Sequence, residues 1–252
     1  MIAAATAALA IGIPSALAGP TKVTWPVMIV VSADTGEDND ISITYQLRGS
    51  GDQAGYFHVL TDVAGITTVV TDGPTCYPEG PKQVSCPDGT SVNGEKGGGE
   101  SFLLLLRDGD DEFIASGPGD FEAHGGSGDD LLIGTGDPAV VPPMEGEPGE
   151  IIYSEDSLYG QAGKDNLIGR AGGDYLSGGG DDDKLSGGPR PADDTGFGAD
   201  DILLGGAGND LLRAADDDKD QLIDCGPGLH DKAVIDRGKD PKPRHCEKVR
   251  RV

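Results

Sequence analysis

Residues 151–213, IIYSEDSLY GQAGKDNLI GRAGGDYLS GGGDDDKLS GGPRPADDT GFGADDILL GGAGNDLLR, fall into seven frames of nine. The sixth place holds Asp156, Asp165, Asp174, Asp183, Ala192, Asp201 and Asp210. The eighth holds Leu158, Leu167, Leu176, Leu185, Asp194, Leu203 and Leu212. One frame, 187–195, fails at both places, yet the phase continues through it. A fixed period of this kind marks a repeat architecture in which each unit buries its apolar residue only against its neighbours. Upstream, GGSGDDLLI (125–133) fits the same template with Asp130 and Leu132, one residue out of phase, and LRDGDDEFI (106–114) is a weaker form with Asp111 and Phe113.

A Gly-rich turn of six residues followed by a strand of three carries the chain along one edge and back along the other. Two frames then complete a layer, and positions 18 apart stack. Adjacent strands of a sheet lie about 4.8 Å apart. Unbroken phase predicts one column of Asp165, Asp183 and Asp201, and an opposite edge carrying Asp156, Asp174 and Asp210. The same count places Leu158 over Leu176, and Leu167, Leu185 and Leu203 in the other sheet. Carboxylates stacked so closely repel unless a cation joins them. Calcium takes six to eight oxygens at about 2.3–2.6 Å, whereas magnesium demands a tighter octahedron. Zinc favours Cys and His, which the repeats lack. One leucine in nine residues is a thin core, so the repeats are expected to fold only with calcium.

These frames resemble the RTX (hemolysin-type) calcium-binding nonapeptide, Gly-Gly-x-Gly-x-Asp-x-apolar-x, over residues 106–224. The resemblance implies an all-β fold, a right-handed parallel β-roll or β-solenoid. It also implies Ca2+ ligands from Asp130, Asp156, Asp165, Asp174, Asp183, Asp201 and Asp210 and from turns containing Gly128, Gly163, Gly172 and Gly208. The failing frame, with Asp194 in the leucine place and Pro189 and Pro191 in the turn, is expected to bulge outward and interrupt one column. The stretch 136–150 is expected to be a loop. Beyond Arg213, the run Asp216-Asp217-Asp218 adds a residue and shifts the Asp/Leu pair to Asp220 and Leu222. The segment 225–252 resembles the Cys-containing C-terminal cap of exported RTX-repeat proteins.

The flanks set the compartment and exclude other classes. Residues 2–18 carry no charge and end in Ala16-Leu17-Ala18, which reads as the core and cut site of a secretory signal peptide. A secreted, extracellular protein without a membrane span is expected. Four cysteines in such a chain suggest two disulfides, and four allow three pairings. The sequence-local pairing, Cys76 with Cys86 and Cys225 with Cys246, is the expectation. A formal charge of −25, from 44 acidic and 19 basic residues, argues against nucleic acid as a partner.

Residues 19–105 read as a smaller β-rich region. Apolar runs or alternation lie at 27–31, 41–47, 56–60, 66–71 and 102–106, and residues 73–100 are expected to form a long loop. The four histidines (His58, His124, His230 and His245) form no HExxH pair, and no GxSxG elbow exists. No catalytic residue is therefore assigned. The expected role is calcium binding with a structural or surface-interaction purpose. The alternative is an extracellular hydrolase whose site lies in residues 19–105. The tail from Arg237 carries seven basic and two acidic residues, either solvated or set against an acidic or anionic surface.

Overall fold

The computed structural model describes residues 28–33, 38–48, 55–62, 68–71, 76–80, 82–87, 101–117, 119–136, 139–141, 150–152, 154–188 and 200–252. The signal-peptide stretch, Pro189, Pro191, Ala192 and Asp194 lie outside them. The described residues form an all-β protein with two large sheets and one small ladder, and contain no helix able to cross a membrane.

In the first sheet, β1 (Met28–Ser32), β7 (Ser101–Asp108), β9 (Asp120–Ser127), β13 (Ser157–Ala162), β15 (Tyr175–Gly180), β17 (Ile202–Ala207) and β19 (Leu222–Asp224) lie parallel, with β4 (Thr68–Thr71) antiparallel beside β1. In the second, β2 (Asp40–Arg48), β8 (Glu112–Ala115), β10 (Leu131–Ile133), β14 (Asn166–Ile168), β16 (Lys184–Ser186), β18 (Leu211–Ala214), β20 (Lys232–Ile235) and β21 (Lys248–Arg251) lie parallel. Beyond β2, that sheet adds β3 (Gly55–Asp62), β6 (Gln83–Pro87) and β5 (Tyr77–Gly80) antiparallel. β11 (Ala139–Val141) and β12 (Glu150–Ile152) pair only with each other. From β7 to β20, apart from β11 and β12, consecutive strands alternate between the two sheets.

The alternation follows from the sequence period. Each short strand has one central side chain pointing inward, as in β10, β14 and β16. Phe113, Leu132, Leu167, Leu185, Leu212 and Ala233 stack in the second sheet. Leu104, Ala123, Leu158, Leu176, Leu203 and Ile223 stack in the first. All are buried. The core is thicker toward the N-terminal strands. There Phe102 stacks on Phe121 with ring centroids 4.9 Å apart, Phe113 lies 6.0 Å from Phe121, and Ile29, Ile41, Ile43 and Leu60 fill the space around them.

Several expectations change. Leu203 lies over Leu176, not Leu185, and it is Leu212 that follows Leu185. Both follow from a spacing of 27 residues between these layers, against 18 in the layers before, with Gly187 and Gly188 still in the stack. A layer takes two frames, so one extra frame of chain exchanges the edges for everything downstream. Ile223 rather than Leu222 points inward at β19, because the acidic run adds one residue more than the Asp/Leu spacing accommodates. The stretch 73–100, expected to be a loop, contains the β5–β6 hairpin, closed by the Cys76–Cys86 disulfide. The stretch 136–150 includes the strand residues of β11, paired with β12. Both disulfides join the sequence-local partners, the second being Cys225–Cys246, and they point to an oxidising environment.

Removing a ring from the packed N-terminal core leaves a cavity that neighbouring strands cannot close. Phe102→Ala is expected to cost about 3–5 kcal/mol, read by urea unfolding, with the same loss in calcium and in chelator.

Candidate metal-binding site

The aspartates at the sixth place of each repeat do not face water. Asp111, Asp130, Asp156, Asp165, Asp174, Asp183, Asp201, Asp210 and Asp231 are all buried. Each Asp Oδ1 accepts a hydrogen bond from a backbone N–H in the preceding layer. On one edge the donors run Asn39 to Asp111, Asp111 to Asp130, Asp130 to Asp165, Asp165 to Asp183, Asp183 to Asp210 and Asp210 to Asp231, at 2.7–2.9 Å. The column ends with Asp231 N–H donating to Glu247 at 2.8 Å. On the other edge Phe121 donates to Asp156, Asp156 to Asp174 and Asp174 to Asp201, at 2.8–3.0 Å.

The column membership predicted for Asp201 and Asp210 is therefore reversed. Asp201 belongs with Asp156 and Asp174, and Asp210 with Asp165 and Asp183. The column on the Asp156 edge is not interrupted at the failed frame; it passes from Asp174 to a residue 27 positions on.

A second, exposed ladder runs in the opposite sense at the fifth place. Asp38, Asp110, Asp129 and Asp182 accept from the N–H groups of Asp110, Asp129, Lys164 and Asn209 in the following layer. Sequence reading missed this ladder, together with Asn39 and Asp231 as members of the buried column and exposed Glu247 as its end. The signal was present as a polar residue two places before an inward apolar one: Asn39 before Ile41, Asp231 before Ala233, Glu247 before the partly buried Val249.

With Oδ1 committed, Oδ2 remains. Among the described residues it has no hydrogen-bond partner in Asp111, Asp130, Asp165, Asp174, Asp183, Asp210 and Asp231. It points into the space that the first glycine of the turn leaves open. A methyl group on Gly125 would lie 2.1 Å from Asp130 Oδ2 and 3.0 Å from the Gly160 carbonyl oxygen of the next layer. The same arrangement recurs at Gly169 with Asp174 and Gly187, at Gly178 with Asp183 and Gly205, at Gly205 with Asp210 and Cys225, and at Gly134 with Asp156 Oδ2 and the Gly169 carbonyl, where that Oδ2 also accepts the Thr135 N–H at 2.7 Å. A carboxylate oxygen and a carbonyl oxygen thus converge five times on a cradle that any Cβ would fill. The fourth-place glycines Gly128, Gly163, Gly172 and Gly208 take φ between 132° and 149° and pass close to a carbonyl of the preceding layer. They set the layer spacing.

Burial raises the pKa values of these carboxyls, through loss of hydration and then through neighbouring carboxylates. Asp165 and Asp210 rise to about 6, Asp130 and Asp156 to about 7, Asp183 to about 8 and Asp201 to about 9. Asp174 is raised well above the usual range by the same burial and by Asp156.

One group gathers more closely than the columns. Asp201, Asp216 and Asp220 bring carboxylate oxygens within 4.8 Å of one another, a group that could hold a metal ion. The predicted ligands Asp130, Asp156, Asp165, Asp174, Asp183 and Asp210 belong to no such cluster of three among the described residues.

A folded-state pKa above the unfolded value means that protonation favours the fold. That stability is complete below about pH 4 and is lost as the pH rises through the raised values of about 6–9. In chelator, the β signal in circular dichroism is expected to be largest near pH 4 and to fall toward pH 9. A flat profile contradicts this.

Comparison with known protein families, with curated proteins and with solved structures gives no match to this chain.

Proposed function

We propose that the protein is a secreted calcium-binding protein. In this reading the repeats form a parallel β-roll that orders on Ca2+, and the role is structural or one of surface interaction rather than catalysis. The observation that carries the reading is the repeated cradle, in which a buried Asp Oδ2 without a partner meets a carbonyl oxygen from the next layer. Buried carboxylates are strongly disfavoured unless a cation or a proton neutralises them. The donor set is oxygen only, which suits calcium better than zinc. The crowding of the cradle by backbone from the adjacent layer suits an ion that accepts carbonyls and irregular geometry better than one that keeps an octahedron of water.

The thin core supports the same reading. In β13 to β18 each layer buries two leucines among many glycines, and the columns add negative charge at every layer. Calcium offsets that charge and joins successive layers. Secretion fits the charge-free stretch at 2–18 and the two disulfides.

The test is a calcium titration of the full chain with its disulfides intact, followed by circular dichroism and calorimetry. The β signal is expected to grow with Ca2+ over about 10⁻⁴–10⁻³ M. Asp165→Asn with Asp183→Asn is expected to weaken the transition about tenfold or more and to remove part of the heat. A full β signal in excess chelator at neutral pH sinks the reading.

A further inference from the structure

The regular column fails at one layer. Pairing of β16 with β18 puts Arg213 opposite Ser186, so the next residue, Ala214, occupies the place held in the neighbouring layers by Gly187 and Gly169. Its methyl group fills the cradle. Register between β17 and β19 then sets Ile202 opposite Leu222, which leaves Asp220 one residue short of the column place that Asp201 would need. Asp220 is consequently turned elsewhere. It is 1 % exposed, and neither carboxylate oxygen has a hydrogen-bond partner among the described residues. Asp216, on the same turn, is half-buried, and its carboxyl sits against Asp218, which hydrogen-bonds to it through both backbone and side chain. These two and Asp201, 2 % exposed, form the cluster within 4.8 Å.

Lys239 pairs with exposed Asp217. Asp236 accepts the N–H of Asp216, and Asp240 accepts that of Asp220 at 3.4 Å, so two more carboxylates border the turn. With Asp201 Oδ1 already accepting the Asp174 N–H, the three carboxylates offer up to five further oxygens, which carbonyls or water would complete to a calcium shell of six to eight.

We infer that Asp201, Asp216 and Asp220 form a calcium site separate from the repeat cradles, which holds the 215–221 turn between the last leucine-bearing layer and the disulfide-closed C-terminal segment. It shares only Asp201 with the columns. Its ligand charge exceeds that of any cradle, and affinity for calcium rises with carboxylate count. This site therefore fills first.

Calorimetry with Ca2+ alone, and separately with Mg2+, tests the inference on the full chain, together with hydrogen exchange of the 215–221 peptide. Wild type is expected to bind one Ca2+ about tenfold or more tighter than the rest and to protect 215–221 at concentrations where the repeats remain open. Magnesium is expected not to substitute at equal concentration. Asp216→Asn with Asp220→Asn is expected to abolish both the tight class and the protection, leaving the weaker class intact. Asp216→Asn alone, on a turn outside any strand, is expected to lower the tight affinity about tenfold and guards against a folding defect in the double variant. Unchanged tight binding in the double variant overturns the inference, whether or not the repeats bind. Loss there, with no effect of Asp165→Asn and Asp183→Asn, removes the repeat reading and leaves this one standing.

Discussion

A single interaction organises the molecule: the backbone N–H of one buried aspartate donated to the Oδ1 of the next. In a sheet the ladder satisfies backbone groups along strands, and some turn groups continue it from layer to layer, but the N–H of each column aspartate falls outside that ladder. Buried N–H groups need acceptors nonetheless. Here the aspartates supply them, one per layer and edge, so that an acidic side chain does the work that a carbonyl does elsewhere. The glycines follow from this arrangement. A carboxylate tucked under the turn leaves no room for a Cβ, and layers spaced by one strand bring carbonyls against the turn above. Composition that looks like disorder is a steric consequence of close stacking.

The same arrangement divides the fold into two regimes. Toward the N-terminal strands, Phe102, Phe113 and Phe121 with several isoleucines give a core of ordinary thickness. Through β13 to β18 the core thins to one leucine per strand, and buried carboxyls line both edges. Hydrophobic burial is insensitive to protons, whereas carboxyls with raised pKa values respond to them.

Period nine in the sequence located the buried aspartates and leucines, because a strand of three leaves one inward place and the turn one acceptor place. The disulfides followed instead from pairing the cysteines that are local in sequence. Counting could not reveal that two layers lie 27 rather than 18 residues apart here, since the nine-residue phase is preserved through 187–195 either way. That one extra frame exchanged Asp201 with Asp210 and Leu203 with Leu212. The Asp201–Asp216–Asp220 group was illegible for a related reason: it exists where Ala214 and an added residue break the rule that the reading relied upon. The N-terminal members, headed by Asn39, lacked a repeat to align with and emerge only from pairing of β2 with β8.

A stack that adds layers by one rule has no intrinsic stopping point, and its last strand is a template for another molecule. The final strand, β21, bears exposed Lys248, Arg250 and Arg251. Edge-to-edge pairing of two copies through this strand would bring like charges together, which disfavours it. Charge on the last strand thus opposes symmetric pairing through that one edge, while the layers within the molecule are joined by the N–H to carboxylate bonds of the columns.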